Sequence, residues 1–328
     1  MLSRVAESIY WMARYVERAE NTARLVMVNL NVSLDLPRAV RPGWDTLVEI
    51  TGTGTLFREL YRRGDERAVT AFLVGDLRNP GSMLSSLRAA RENARTMRDI
   101  IPREAWEQLN SLYQDAKQQA GDALVQRRRF DYLNRIVAGS QTLAGILSGA
   151  MTHDAGYAFL RAGRSLERAD MTTRIIDVRS AGLPGAGSGE ALAAYANLQW
   201  MSVLKSLTAY QMYRREMQVR VQRAEVLRFL LQNPRFPRAT RYCLGQVEAS
   251  LAQLPRSDAP LRIARRVGAE LERTDLEPLD QAALHAYIDE LQLGMGEIHE
   301  AIAATWFRHE PRRRAARAEP EPSLAAGA

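Results

Sequence analysis

From Val5 onward, apolar side chains recur at Ile9, Met12, Val16, Ala19, Ala23, Val26 and Leu30. This 3–4 spacing holds for about seven helical turns and puts one apolar stripe on a long helix over about residues 3–33. A second long helix is expected over about residues 152–180 on the same grounds. The rest of the chain repeats the pattern in shorter pieces, without the alternation of β-branched residues that marks strands. Punctuation separates the pieces at "DLPRAVRPG" (35–43), "RRGDE" (62–66), "RNPGS" (78–82), "IIPRE" (100–104), "SAGLPGAGSGE" (180–190), "QNPRFP" (232–237), "PRSDAP" (255–260) and "LEPLD" (276–280). About six helices are predicted on each side of residue 150. Ser82 and Asp280 stand where N-caps are expected. The segment 181–189 is predicted to be a mobile loop. The tail 308–328 mixes Pro, Ala and alternating charge without an apolar stripe, and is predicted to be disordered.

The two long helices carry nearly the same sentence. "RYVERAENTAR" (14–24) and "RSLERADMTTR" (164–174) are identical at six of eleven positions, at an offset of 150. Arg14, Glu17, Arg18, Ala19, Thr22 and Arg24 match Arg164, Glu167, Arg168, Ala169, Thr172 and Arg174; Glu20 matches Asp170 conservatively, and Asn21 faces Met171. Weaker echoes follow. Trp44 and Trp200 are each expected to open a helix, with Phe57-Arg58 and Tyr213-Arg214 thirteen residues on, and Asn79-Pro80 and Asn233-Pro234 each follow a run containing Phe-Leu. One duplication rather than a solenoid array is implied. The fold class expected is all-α: a duplicated helical bundle with similar halves at 1–150 and 151–307.

At 100° per residue, Tyr10, Arg14, Glu17, Asn21 and Arg24 share a narrow stripe opposite the apolar one. A second polar stripe, Arg88, Arg91, Arg95 and Arg98, is bordered by Glu92 and Asp99. Such stripes are commonly solvated faces with ion pairs of about 0.3 kcal/mol each. Solvated faces drift after duplication, yet here Arg, Glu, Arg and Arg stay in register. Two constraints would explain that: a buried inter-helix ion-pair network, or a ligand site. A buried guanidinium needs an acidic partner, which accounts for the Glu. The second stripe has more guanidiniums than carboxylates. If the first long helix packed beside it, Glu17 and Glu20 would join it in one mixed-charge seam suited to a carboxylate or phosphate, as on an acidic peptide.

Composition narrows the classes. The net charge of +7 comes from 45 basic and 38 acidic residues, a mixed surface that makes nucleic acid an unfavoured partner. One cysteine, Cys243, excludes an internal disulfide framework and suits a reducing, cytoplasmic setting; it is expected in the core. Charged residues interrupt every apolar run short of the roughly 18 needed to span a bilayer, so no membrane association is expected. The four histidines show no metal-ligand spacing, so neither a metal nor another cofactor is expected. Glu297, His299 and Glu300 read as a helix surface. "TGTGT" (51–55) lacks the lysine of a phosphate loop and reads as an interruption of the second helix.

The opening "MLSRVAESIYWMARYVERAENTARLV", the segment "RNPGSMLSSLRAARENARTMRD" followed by Trp106 and Asn110, and "GRSLERADMTTRIIDV" together resemble the bacterial alpha-E family. The resemblance covers about residues 1–307. It implies an all-helical fold with a duplicated glutamate-containing motif, whose glutamates fall at Glu17 and Glu167. It also implies partners, a circularly permuted ATP-grasp protein and a transglutaminase-like protein, and thereby a peptide-ligation or peptide-modification system. Ser is expected after the Pro-Arg pair at 237–238, where this chain has Ala239. The expected function is a non-catalytic helical partner that binds the ATP-grasp enzyme or its peptide substrate. The alternatives are an enzyme using the paired Glu/Arg motifs for acid–base chemistry on an amide or carboxylate, and nucleic-acid binding.

Overall fold

The computed structural model describes residues 3–35, 43–181, 190–218 and 220–307. The predicted tail and the segment 182–189 lie outside the described residues. Among the described residues the regular structure is entirely helical, in fourteen α-helices. The first seven are α1 (Ser3–Asp35), α2 (Asp45–Ile50), α3 (Gly54–Leu60), α4 (Glu66–Val74), α5 (Met83–Arg95), α6 (Arg103–Gln118) and α7 (Gln126–Ala150). The second seven are α8 (Ala155–Ala181), α9 (Glu190–Ser206), α10 (Tyr210–Met217), α11 (Arg223–Leu227), α12 (Thr240–Leu251), α13 (Asp258–Arg273) and α14 (Gln281–Ile302). None of these is long and apolar enough to cross a membrane.

Local chemistry sets the boundaries. Ser82 accepts from Ser85 N and opens α5, and Asp280 accepts from Ala283 N and opens α14, as expected. Asp154 accepts from Gly156 N and Tyr157 N, which starts α8 at Ala155 rather than about three residues earlier. The predicted second helix is two helices, because Gly52 between α2 and α3 has φ +68° and breaks the ladder. Thr208 does the same between α9 and α10, at φ +55°. Those two breaks give seven helices on each side of residue 150 where six were expected. Trp44 immediately precedes α2, but Trp200 lies inside α9 and opens nothing.

The long helices α1 and α8 lie at the centre and pack on each other. Around them, α1 meets α5 and α7, while α8 meets α12 and α14; α6 then bridges α5 and α7, and α13 bridges α12 and α14. The buried apolar side chains form one continuous core across both sets. Contacts between α1 and α8 advance together, from Tyr10 against Gly163 through Glu17–Arg168 to Asn29–Arg179, so the two helices run parallel. They approach tightly at Gly163, where a Cβ would sit 2.4 Å from the Tyr10 carbonyl oxygen. Only a glycine leaves room for that approach, and it brings the polar stripes of both helices within reach of each other.

Candidate functional site

The duplicated motif is the seam between α1 and α8, and its ion pairs cross it. Glu17 and Glu167 are each only 2 % exposed. Arg168 grips Glu17 with two parallel bonds, Nε to Oε1 at 2.8 Å and Nη2 to Oε2 at 2.7 Å. Arg18 grips Glu167 in the same way, Nε to Oε1 at 2.6 Å and Nη2 to Oε2 at 3.1 Å. Each motif arginine therefore serves the glutamate of the other helix in fork-to-fork geometry. Arg14 adds a bond to Glu167 Oε2 at 2.7 Å, and Arg164 acts on Glu17 through its charge. Within each helix the i,i+4 pair is also kept: Arg24 donates to Glu20 at 2.9 Å, and Arg174 to Asp170 at 2.8 Å. Arg24 continues to the Thr208 hydroxyl, and the Arg174 guanidinium lies beside Gly52, so each reaches the break between two helices across the seam.

Burial alone would push the Glu17 carboxyl up. The charges of Arg168 and Arg238, the hydrogen bonds from Arg168 and the charge of Arg164 outweigh it and hold Glu17 well below the usual carboxylate range. Glu167 is held down likewise: burial opposes, and Arg14 and Arg18 prevail by charge and hydrogen bonding. Both carboxylates are thus fixed anions at neutral pH. A general acid or base needs a carboxyl poised near the working pH, so this environment works against that role.

The seam has two flanks. On one, Arg238 is buried against α1. It donates from Nη1 to Asn21 Oδ1 at 2.8 Å and Glu17 Oε1 at 3.2 Å, and from Nη2 to Glu20 Oε1 at 2.7 Å. Its main-chain oxygen accepts from the Thr172 hydroxyl at 2.9 Å. On the other flank there is a pocket of about 290 Å³, lined by Arg18 and Thr22 of α1, Glu167, Asp170, Met171 and Arg174 of α8, Thr51 and Thr53 of the α2–α3 break, and Pro80 and Gly81 before α5. "TGTGT" therefore interrupts a helix as expected, and it also supplies pocket wall. A larger groove, about 670 Å³, lies on the outer face between α13 and α14, away from every motif residue.

The stripe on α5 does not join the seam. Helix α5 meets α1 through Leu84, Leu87, Ala90 and Ala94, all buried, which turns its arginines the other way. Arg88, Glu92, Arg95 and Arg98 are exposed and Arg91 is half-buried. Arg91 donates to Asn110 of α6 and to Glu92, Arg95 donates to Glu92 within α5, and Arg98 lies 4.2 Å from the ring centre of Trp106 of α6. Glu17 and Glu20 thus serve Arg168, Arg238 and Arg24 instead of the α5 arginines.

Other expectations fare variously. Cys243 is core, its thiol pushed up to about 12 by burial. His299 is not surface: it is half-buried, stacks on Tyr10 and shares a 3.1 Å hydrogen bond with the Tyr10 hydroxyl. Burial, then the charge of Arg14, lowers its pKa. Sequence reasoning missed Arg238, which no periodicity marks because it sits in the loop before α12. It also missed Arg179, which is buried, bonds Asn29 and is lowered to about 10 by burial. Asp177, His285 and Asp289 bring three potential metal-ligand atoms within 4.8 Å of one another, with two of the residues exposed. His285 already bonds Asp177 at 2.8 Å, an ordinary surface pair.

Uncharacterized proteins from Mycobacterium bovis and from one strain of Mycobacterium tuberculosis are each 26% identical to this chain over 324 residues. One from a second Mycobacterium tuberculosis strain is 25% identical over the same length. The alignments cover 91% of this chain and 35% of each relative, so the chain spans about a third of the length of the curated relatives it matches. No solved structure matches. The family described as "a predicted alpha-helical domain with a conserved ER motif" matches residues 1–307, and Glu17-Arg18 and Glu167-Arg168 are the Glu-Arg pairs at the centre of the seam. The chain belongs to that family, Alpha-E.

Proposed function

We propose that this chain is a non-catalytic helical partner of a peptide-ligation or peptide-modification system, binding a circularly permuted ATP-grasp enzyme or its peptide substrate. The observation that carries the reading is the ionised state of Glu17 and Glu167, clamped by guanidiniums across the seam. Such a lattice orders two helices; it does not cycle protons. The length of the relatives adds support, since in them a unit of this size accounts for about a third of a longer polypeptide. The transglutaminase-like protein is a second partner in the same reading, and the setting is cytoplasmic.

We further infer that residues 1–150 and 151–307 descend from one duplicated unit. The crosswise Glu17–Arg168 and Glu167–Arg18 pairs, and the left-handed breaks at Gly52 and Thr208, support this. The alternative of acid–base chemistry on an amide would require a motif carboxyl that titrates near neutrality. The partnership is tested by co-purifying the tagged chain with its ATP-grasp protein in the absence of nucleotide, with ATP and with ADP. A stable complex in at least one state is expected; no association in any state would contradict it.

A further inference from the structure

The two flanks of the seam are built from matching parts, and one part is missing. On the closed flank, Arg238 rests on Glu17, Glu20 and Asn21 of α1, with Thr172 of α8 on its main chain. The 150-residue offset converts these residues into Glu167, Asp170 and Met171 of α8, with Thr22 of α1. All four line the 290 Å³ pocket. Thr22 is fully buried there, and its hydroxyl has no hydrogen-bond partner among the described residues. On the closed flank the corresponding hydroxyl is bonded.

The position of the missing part can be read from the backbone. Arg238 directly precedes Ala239, the N-cap of α12; Gly81 directly precedes Ser82, the N-cap of α5. The two caps have matching extended backbones, and each cap N–H donates three residues back, to Phe236 O and to Asn79 O. Asn79 and Asn233 each accept from the N–H two residues on, but Asn79 lies three residues before its cap and Asn233 six, so the loop before α12 is longer by three residues and the match is counted back from the caps. Gly81 therefore occupies the place of Arg238 and contributes no side chain to the pocket.

We propose that the pocket receives a guanidinium group from a ligand, seated between Glu167 and Asp170 as Arg238 is seated between Glu17 and Glu20. The charge balance permits it. Three arginines attend the two carboxylates on each flank: Arg14, Arg18 and Arg174 here, and Arg164, Arg168 and Arg24 there. The closed flank accommodates Arg238 as a fourth cation. Met171 in place of Asn21 removes one acceptor, and Asp170 in place of Glu20 is one methylene shorter, which widens the space. Thr51, Thr53 and Gly81, partly exposed, form the mouth. The guanidinium could belong to a free small molecule or to an arginine side chain of a peptide. The site stands on the pocket alone and does not depend on the ATP-grasp partnership.

Calorimetric titration tests it with three probes: agmatine, an acetylated and amidated Ala-Ala-Arg-Ala-Ala peptide, and the same peptide with citrulline in place of arginine. Agmatine or the arginine peptide should bind and the citrulline peptide should not. Saturable agmatine binding identifies a small-molecule site; binding confined to the arginine peptide identifies a peptide site. Asp170→Asn should weaken binding about tenfold by removing a charge-assisted hydrogen bond. Thr22→Val should weaken it less. Gly81→Arg should abolish binding by filling the pocket from within; its new Cβ would lie 3.3 Å from Asn79 Oδ1, a contact that a small shift relieves. Circular dichroism verifies that each variant is folded. Failure of agmatine and the arginine peptide to bind at millimolar concentration would overturn the proposal. Equal binding of the citrulline peptide would do so as well, as would binding undiminished in folded Gly81→Arg, with Thr22→Val deciding if Gly81→Arg does not fold.

Discussion

The environments of Glu17 and Glu167 use the same residue types in the same crossed arrangement, yet they differ in how they are finished. Glu17 is held by Arg168 and Arg238, and Arg238 is covalently part of the chain. Glu167 is held by Arg14 and Arg18, and beyond it lies open pocket. A repeated ion-pair lattice can thus keep its structural pairs while one loop residue, arginine or glycine before a helix cap, decides whether a flank is solid or hollow. The pairs set the register of α1 against α8, and the loops are where the two flanks diverge.

The largest expected effect separates the carboxylates. Glu17→Ala removes the carboxylate that Arg168 grips with two bonds, and one of the three acceptors of Arg238, and should cost about 3–5 kcal/mol in urea unfolding. Glu167→Ala strands Arg14 and Arg18, of which Arg18 is 27% exposed, lines the pocket and can turn toward its water. It should cost measurably less. Equal losses would mean that the open flank is as tightly closed to solvent as the other.

A smaller effect concerns the caps. Ser82 accepts a hydrogen bond from Ser85 N, whereas Ala239 offers no side-chain acceptor to α12. Ala239→Ser should restore that bond and stabilise the protein by about 0.5–1 kcal/mol, read from the denaturation midpoint. A neutral or destabilising result would show that the buried cap of α12 has no room for the hydroxyl.

Much of this was legible in the residues. The long stripes from Val5 and around Leu166 predicted α1 and α8 to within a few residues, because 3.6-residue periodicity survives in any helix that buries one face. The repeat of Arg14, Glu17, Arg18 and Arg24 pointed to burial, and the glutamates are buried. The α5 stripe misled for a physical reason: periodicity shows that arginines share a face but not which neighbour that face meets. Leu84, Leu87, Ala90 and Ala94 form the buried face of α5, and the arginines were left to Glu92 of their own helix and to Trp106 and Asn110 of α6. Arg238 was invisible because a loop residue carries no period, and its partners are about 220 positions away in sequence. His299 was misread because only tertiary packing sets it against Tyr10.

The central claim is that both seam carboxylates are fixed anions that order the helices, and their titration tests it most directly. Each has its pKa lowered on folding, while the unfolded value stays near the ordinary 4.5. The stability they contribute is therefore complete above about pH 4.5 and is lost as the pH falls from there toward the folded values. In carbon-13 NMR of side-chain carboxyls, with Glu17→Gln and Glu167→Gln assigning the signals, both resonances should stay at their ionised positions from neutral pH down through 4.5. A midpoint above 4.5 for either glutamate, above all one near neutrality, would contradict the account and restore a proton-transfer role for the duplicated motif.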